Sequence, residues 1–130
     1  MIALDTNLLA RLVLGDDAVQ MERVAVMLES AETFFVPISV SLELAWVLGS
    51  QGVGKSAIVA AMQSLRGLPK VIWQESDALD YALKLASAGL DIADALHLAL
   101  SKGCESLRTF DAKFAARAQR EITRPAVNCV

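Results

Sequence analysis

An α/β fold built on a parallel sheet is what the sequence predicts, on three observations. Short uncharged runs, Ile2-Ala3-Leu4, Phe34-Phe35-Val36 and Val71-Ile72-Trp73, read as strands. Longer segments between them repeat their apolar residues at helical spacing, so strand and helix alternate and parallel pairing follows. Acidic residues stand directly after the first and fourth strands, at Asp5 and Asp111, and open α/β sheets take their ligands in the crevice beyond such strand ends.

The elements follow in order. The first strand starts at the first residues and reads as buried, and Asn7 is a good N-cap for a helix over 8–14. After the turn Gly15-Asp16-Asp17 comes an amphipathic helix over 18–30, with Val19, Val24, Met27 and Leu28 on one face and Glu22, Arg23 and Glu29 on the other. The second strand stops at Pro37, which cannot donate to a sheet ladder. The helix over 39–48 is apolar all round, with Ser39 or Ser41 suited to cap it. Its one charge is Glu43, the only charged residue between Glu32 and Lys55. A lone buried carboxylate is costly unless paired, neutralised or ligated, so Glu43 points to function unless the helix surfaces there.

A helix over 55–67 precedes the third strand, and a further helix over 77–88 ends at Gly89 as C-cap. Asp91 suits the N-cap of an Ala- and Leu-rich buried helix reaching Lys102. Asp94 then falls at the third helical position, where a helix N-terminus holds a carboxylate ionised. Capping accounts fully for Asp91. Asp94 is followed by an almost wholly apolar helix and reads as functional. Leu107-Arg108-Thr109-Phe110 is a fourth strand ending in Asp111, and a helix over 112–121 carries Lys113, Arg117 and Arg120, with Arg124 just beyond. These four cations read either as a basic rim for a nucleic-acid backbone or as a solvated helix face. Residues 125–129 make an edge strand, which tolerates Pro125 at its start.

Composition narrows the function. The 130 residues fit one domain, 1–130, and the net charge of -3 excludes nucleic-acid binding through bulk positive charge while leaving room for a local patch. A chain 55% hydrophobic and 5% aromatic has an aliphatic core and more apolar surface than one small domain hides, so a homodimer or bound partner is expected. Cys104 and Cys129 read as structural thiols of a reduced, cytoplasmic protein. No signal peptide or membrane-spanning stretch is legible, because Asp5 interrupts the first apolar run and Pro37 and Glu43 interrupt the longest.

The alternation places Asp5, Glu43, Asp94 and Asp111 on one edge of the sheet. Converging carboxylates repel by roughly 4 kcal/mol per pair about 4 Å apart at an effective dielectric of 20, so a cation must compensate. All-oxygen ligands select a hard ion, Mg²⁺ or Mn²⁺, and the natural reaction is hydrolysis of a phosphodiester. Two other signals compete. Gly49-Ser50-Gln51-Gly52-Val53-Gly54-Lys55-Ser56 matches the P-loop pattern, but a P-loop needs a buried strand before it and the preceding residues read as helix. His97, the only histidine, reads as a packed core residue rather than a ligand.

Asp5-Thr6-Asn7, the isolated Glu43, Asp94-Ala95-Leu96 and Thr109-Phe110-Asp111, in this order and spacing, resemble the PIN domain, most nearly the VapC-type toxins. The resemblance spans essentially the whole chain. It implies a three-layer α/β/α fold with a central parallel sheet of four to five strands ordered 3-2-1-4-5. It further implies a Mg²⁺- or Mn²⁺-dependent endoribonuclease leaving a 5′-phosphate and a 3′-hydroxyl, a homodimer, and a cognate antitoxin that blocks the acidic site. Asp5, Glu43, Asp94 and Asp111 match its acidic quartet, with Asp5, Asp94 and Asp111 as metal ligands and Glu43 as ligand or water-orienting base. Thr6, Thr109 and Asp91 match supporting positions. A non-catalytic binding module of the same fold is the alternative.

Overall fold

Three short strands, β1 (Ile2–Ala3), β2 (Phe34–Val36) and β3 (Val71–Trp73), pair in parallel in the order β1-β2-β3, with Phe34 opposite Ile2 on one side and Val71 on the other. The computed structural model describes residues 1–122 and 124–130 and divides into two compact units, Met1–Ser76 and Asp77–Val130. The first unit also holds α1 (Thr6–Leu14), α2 (Ala18–Leu28), α3 (Ile38–Ser50) and α4 (Lys55–Leu65), and α1 packs on both α2 and α3. In the second, α5 (Ser76–Ser87) leads to α6 (Ile92–Leu100), then β4 (Ser106–Thr109), α7 (Ala112–Glu121) and β5 (Ala126–Cys129), with β4 and β5 paired in parallel. Among the described residues the strands pair as a three-stranded sheet, β1-β2-β3, and a two-stranded sheet, β4-β5.

The central strand carries the core of the first unit. Phe34 and Val36 are fully buried, as are Leu9 of α1, Leu44 and Leu48 of α3 and Met62 of α4. The second unit buries Leu79, Leu83, Leu98, Phe114 and Val127, and the Gln119 amide of α7 donates to the Val127 carbonyl at 2.7 Å. No helix among the described residues is long and apolar enough to cross a membrane.

Several local expectations change. Ile2 and Ala3 are exposed, because β1 is an end strand of its three-stranded sheet and an apolar run does not reveal how many neighbours a strand has. α1 starts two residues early, so Asp5 rather than Asn7 is its N-cap. α2 buries only Val24, and Val19 is 61% exposed. The P-loop pattern begins on the last two residues of α3 and runs through a helix-helix loop, so no strand precedes it and the phosphate cradle is absent. Cys104 and Cys129 are exposed free thiols, not packed ones.

Neither Ser39 nor Ser41 caps α3. Pro37 is the N-cap and offers no side-chain acceptor, and the Gln74 side chain instead accepts the Ile38 N–H at 2.9 Å. Ser41 is 1% exposed and its hydroxyl has no hydrogen-bond partner among the described residues. Replacing Ser41 with alanine removes that unpaired group and raises helix propensity, so a gain of about 1 kcal/mol is expected. A urea midpoint that falls in Ser41→Ala would contradict it.

Candidate active site

Asp5 ends β1 in extended backbone (φ −86°, ψ 162°) and turns the chain into α1 by accepting the Thr6 N–H at 2.8 Å. An aspartate does this well because its short side chain reaches its own downstream amide. Thr6 is 1% exposed, and its hydroxyl donates to Glu43 Oε1 of α3. Thr6 thus joins Asp5, its chain neighbour, to a carboxylate 37 residues further on.

Glu43 is not buried. α3 turns Ser39, Glu43 and Trp46 outward, at spacings of four and three, while Val40, Ser41, Leu44, Ala45 and Leu48 face inward. The tryptophan, 72% exposed, hid this solvent face from the sequence pattern. The cost of a buried lone carboxylate therefore gives no support to Glu43. Its contact with a buried threonine hydroxyl does.

In the second unit Asp91, Asp94 and Asp111 line one cleft of about 200 Å³, together with Leu90, Lys113, Phe114 and Arg117. Asp91 caps α6 as expected, accepting the N–H groups of Ala93 at 3.2 Å and Asp94 at 3.4 Å. Asp111 caps α7, accepting the Phe114 N–H at 3.0 Å, while its own N–H donates to Thr109 Oγ1 at 2.9 Å. Each predicted supporting threonine therefore hydrogen-bonds at an acidic residue. Phe110 lies outside β4 and is 85% exposed.

Asp94 behaves differently from the expectation of a helix-stabilised anion. Burial pushes its carboxyl above the ordinary carboxylate range, the charges of Asp91 and Asp111 push in the same direction, and His97 opposes them. His97 is exposed rather than packed in the core.

The predicted residues thus assemble as two groups, Asp5, Thr6 and Glu43 in the first unit and Asp91, Asp94, Thr109 and Asp111 in the second. Lys113 and Arg117 share the cleft of the second group, and Arg120 lines the neighbouring one. The donor set fits a hard divalent ion by type, carboxylate oxygens with no thiolate, and by charge, since a cation would offset the burial and like-charge repulsion that raise the Asp94 carboxyl. Among the described residues no three His, Cys, Asp or Glu side chains stand together as a finished cage, so the fit lies in chemistry and charge.

The sequence matches the PIN domain family over residues 2–120, across both units. No curated protein sequence matches significantly. Among solved structures, the chain is similar to VapC20 of Mycobacterium tuberculosis, described as a sarcin-ricin loop cleaving toxin, at 20% identity and a TM-score of 0.42, covering 89% of this chain and 94% of that one.

Proposed function

This chain belongs to the PIN domain family, a family of nucleases, and from that premise we propose that it is a Mg²⁺- or Mn²⁺-dependent endoribonuclease, the toxin of a VapC-type toxin-antitoxin pair. The observation that carries the proposal is the cleft in which Asp91, Asp94 and Asp111 stand with Lys113 and Arg117. Carboxylates that favour a hard cation, beside side chains that favour phosphate, suit a polyanionic substrate.

In this reading residues 1–130 act as one domain in which Asp5 and Glu43 serve the same reaction as Asp94 and Asp111. Asp5, Asp94 and Asp111 would hold the ion, which would neutralise phosphate oxygens and acidify water. Glu43, aimed by the Thr6 hydroxyl, orients the attacking water and takes its proton. Asp91 keeps the start of α6 in place, and Thr109 fixes the backbone at Asp111. Lys113 and Arg117 hold the RNA backbone. Water attack at phosphorus leaves a 5′-phosphate and a 3′-hydroxyl. Exposed apolar side chains including Val26, Trp46 and Phe110 support a homodimer and an antitoxin as partners, and a role on cellular RNA assigns the protein to the cytoplasm.

Incubating purified protein with a panel of structured RNAs in Mg²⁺, Mn²⁺ or EDTA tests the reading. Cleavage in either metal and none in EDTA is expected, with Asp5→Ala inactive under all three conditions. Intact RNA throughout, from folded and antitoxin-free protein, would favour a PIN-fold binding module whose acids only dock a basic segment.

A further inference from the structure

The basic residues of α7 continue well past the acidic cleft. Lys113, Arg117 and Arg120 are spaced by four and three residues, so they share one face of α7 over about 10 Å at 1.5 Å per residue. Arg117 lines both the acidic cleft and the adjoining one, of about 200 Å³ beside Gly89. Arg120 and Glu121 in turn line that second cleft and a third, of about 320 Å³, which Tyr81, Gln119 and Arg124 complete. Consecutive clefts thus share a wall, and all three lie within the second unit. At the far end Lys102 Nζ stands 5.6 Å from the centre of the Tyr81 ring, holding the ring by a cation-π contact and adding a further positive charge.

We propose that these three clefts form one single-strand RNA track, running from Asp94 and Asp111 past Arg117 and Arg120 to a terminal base platform at Tyr81. The proposal rests on the nuclease reading for its substrate class and adds the direction in which the strand leaves the site. The guanidiniums are exposed, and their contacts are loose. Arg117 reaches the Gly89 carbonyl and Arg120 the Ala116 carbonyl, each at 3.5 Å, the long limit of a hydrogen bond. Such side chains re-aim toward phosphates at little cost. Glu121 is the one carboxylate lining the second and third clefts, and Arg120, beside it in both, offsets its repulsion of a phosphate. An aromatic ring at the end of a basic groove is how single strands are bound without sequence preference, by charge along the backbone and stacking on a base.

Binding of labelled oligouridylates of two to twelve nucleotides, followed by anisotropy in EDTA so that nothing is cut, tests the track. Affinity is expected to rise with length and level off at roughly four nucleotides or a little more, the lower end of single-strand site sizes. Arg120→Gln with Arg124→Gln should weaken the longer oligomers about tenfold. It should lower the slope of log affinity against log salt by about 1.4, at about 0.7 per phosphate contact, and leave the dinucleotide unchanged. Tyr81→Ala should weaken the longer oligomers and Tyr81→Phe should not, while Arg23→Gln with Arg108→Gln, neither of which lines the three clefts, matches the loss of two charges as a control. Equal loss at every length, or an unchanged salt slope, overturns the track. Polyglutamate that competes as well as RNA also overturns it and assigns the groove to an acidic protein segment. RNA bound along the track but uncut in Mg²⁺ supports the track and removes the nuclease reading, whereas cleavage with length-independent binding removes the track alone.

Discussion

Replacing Asp94 with asparagine is expected to abolish RNA cleavage and at the same time to make the metal-free protein more stable. The loss of cleavage should be at least about a hundredfold, because residues that only support a metal ligand already cost 10- to 100-fold when removed and Asp94 is proposed as a ligand itself. The gain in stability comes from the raised carboxyl of Asp94, whose charged form is penalised by burial and by Asp91 and Asp111. Asp94 is only partly buried, so water screens the repulsion and the gain is on the order of 0.5 kcal/mol, about 2 °C in melting temperature.

The sign of the pH dependence follows from the same shift. Folded protein binds a proton at Asp94 at a higher pH than the unfolded chain does, so this group's penalty is full above its raised value and is relieved as pH falls toward the ordinary carboxylate range. The difference in melting temperature between variant and wild type should therefore narrow on acidification. Mg²⁺ should stabilise wild type and leave Asp94→Asn unmoved, by linkage of binding to folding. A variant that cleaves within tenfold of wild type removes Asp94 from the site. One that melts lower at neutral pH shows that the helix N-terminus outweighs desolvation after all.

Phe34→Ala is expected to have the largest effect on folding. Phe34 is 0% exposed and sits on β2, the middle strand of its sheet, paired to β1 and to β3. Truncating a buried phenylalanine removes its transfer free energy and leaves a cavity, about 3–5 kcal/mol together. Against a total of roughly 5–15 kcal/mol for a natural domain, the variant should be largely unfolded well below the melting temperature of wild type. Ile72→Ala, one register position from Phe34's partner on β3 but 51% exposed, should stay within about 1 kcal/mol. Denaturant unfolding of the two variants side by side checks both figures. A loss below about 1 kcal/mol for Phe34→Ala would mean that β2 is not where the first unit's core is anchored.

The sequence by itself determined what local patterns encode. β2 and β3 fall on 34–36 and 71–73 and α7 on 112–121, as read from uncharged runs, Pro37 and helical spacing. Asp91 as the cap of α6 was equally legible, since capping spans only a few residues. The tertiary structure alone decided what depends on residues far apart in the chain. It turned Glu43 and Trp46 to solvent together, and set Asp94 among like charges from α6 and α7. It also brought Tyr81 of α5 to Arg120 and Arg124 near the end of the chain. The reason is that periodicity marks which faces of an element differ from each other. Burial, repulsion and shared clefts are properties of pairs of faces, and no single stretch of sequence contains both members of the pair.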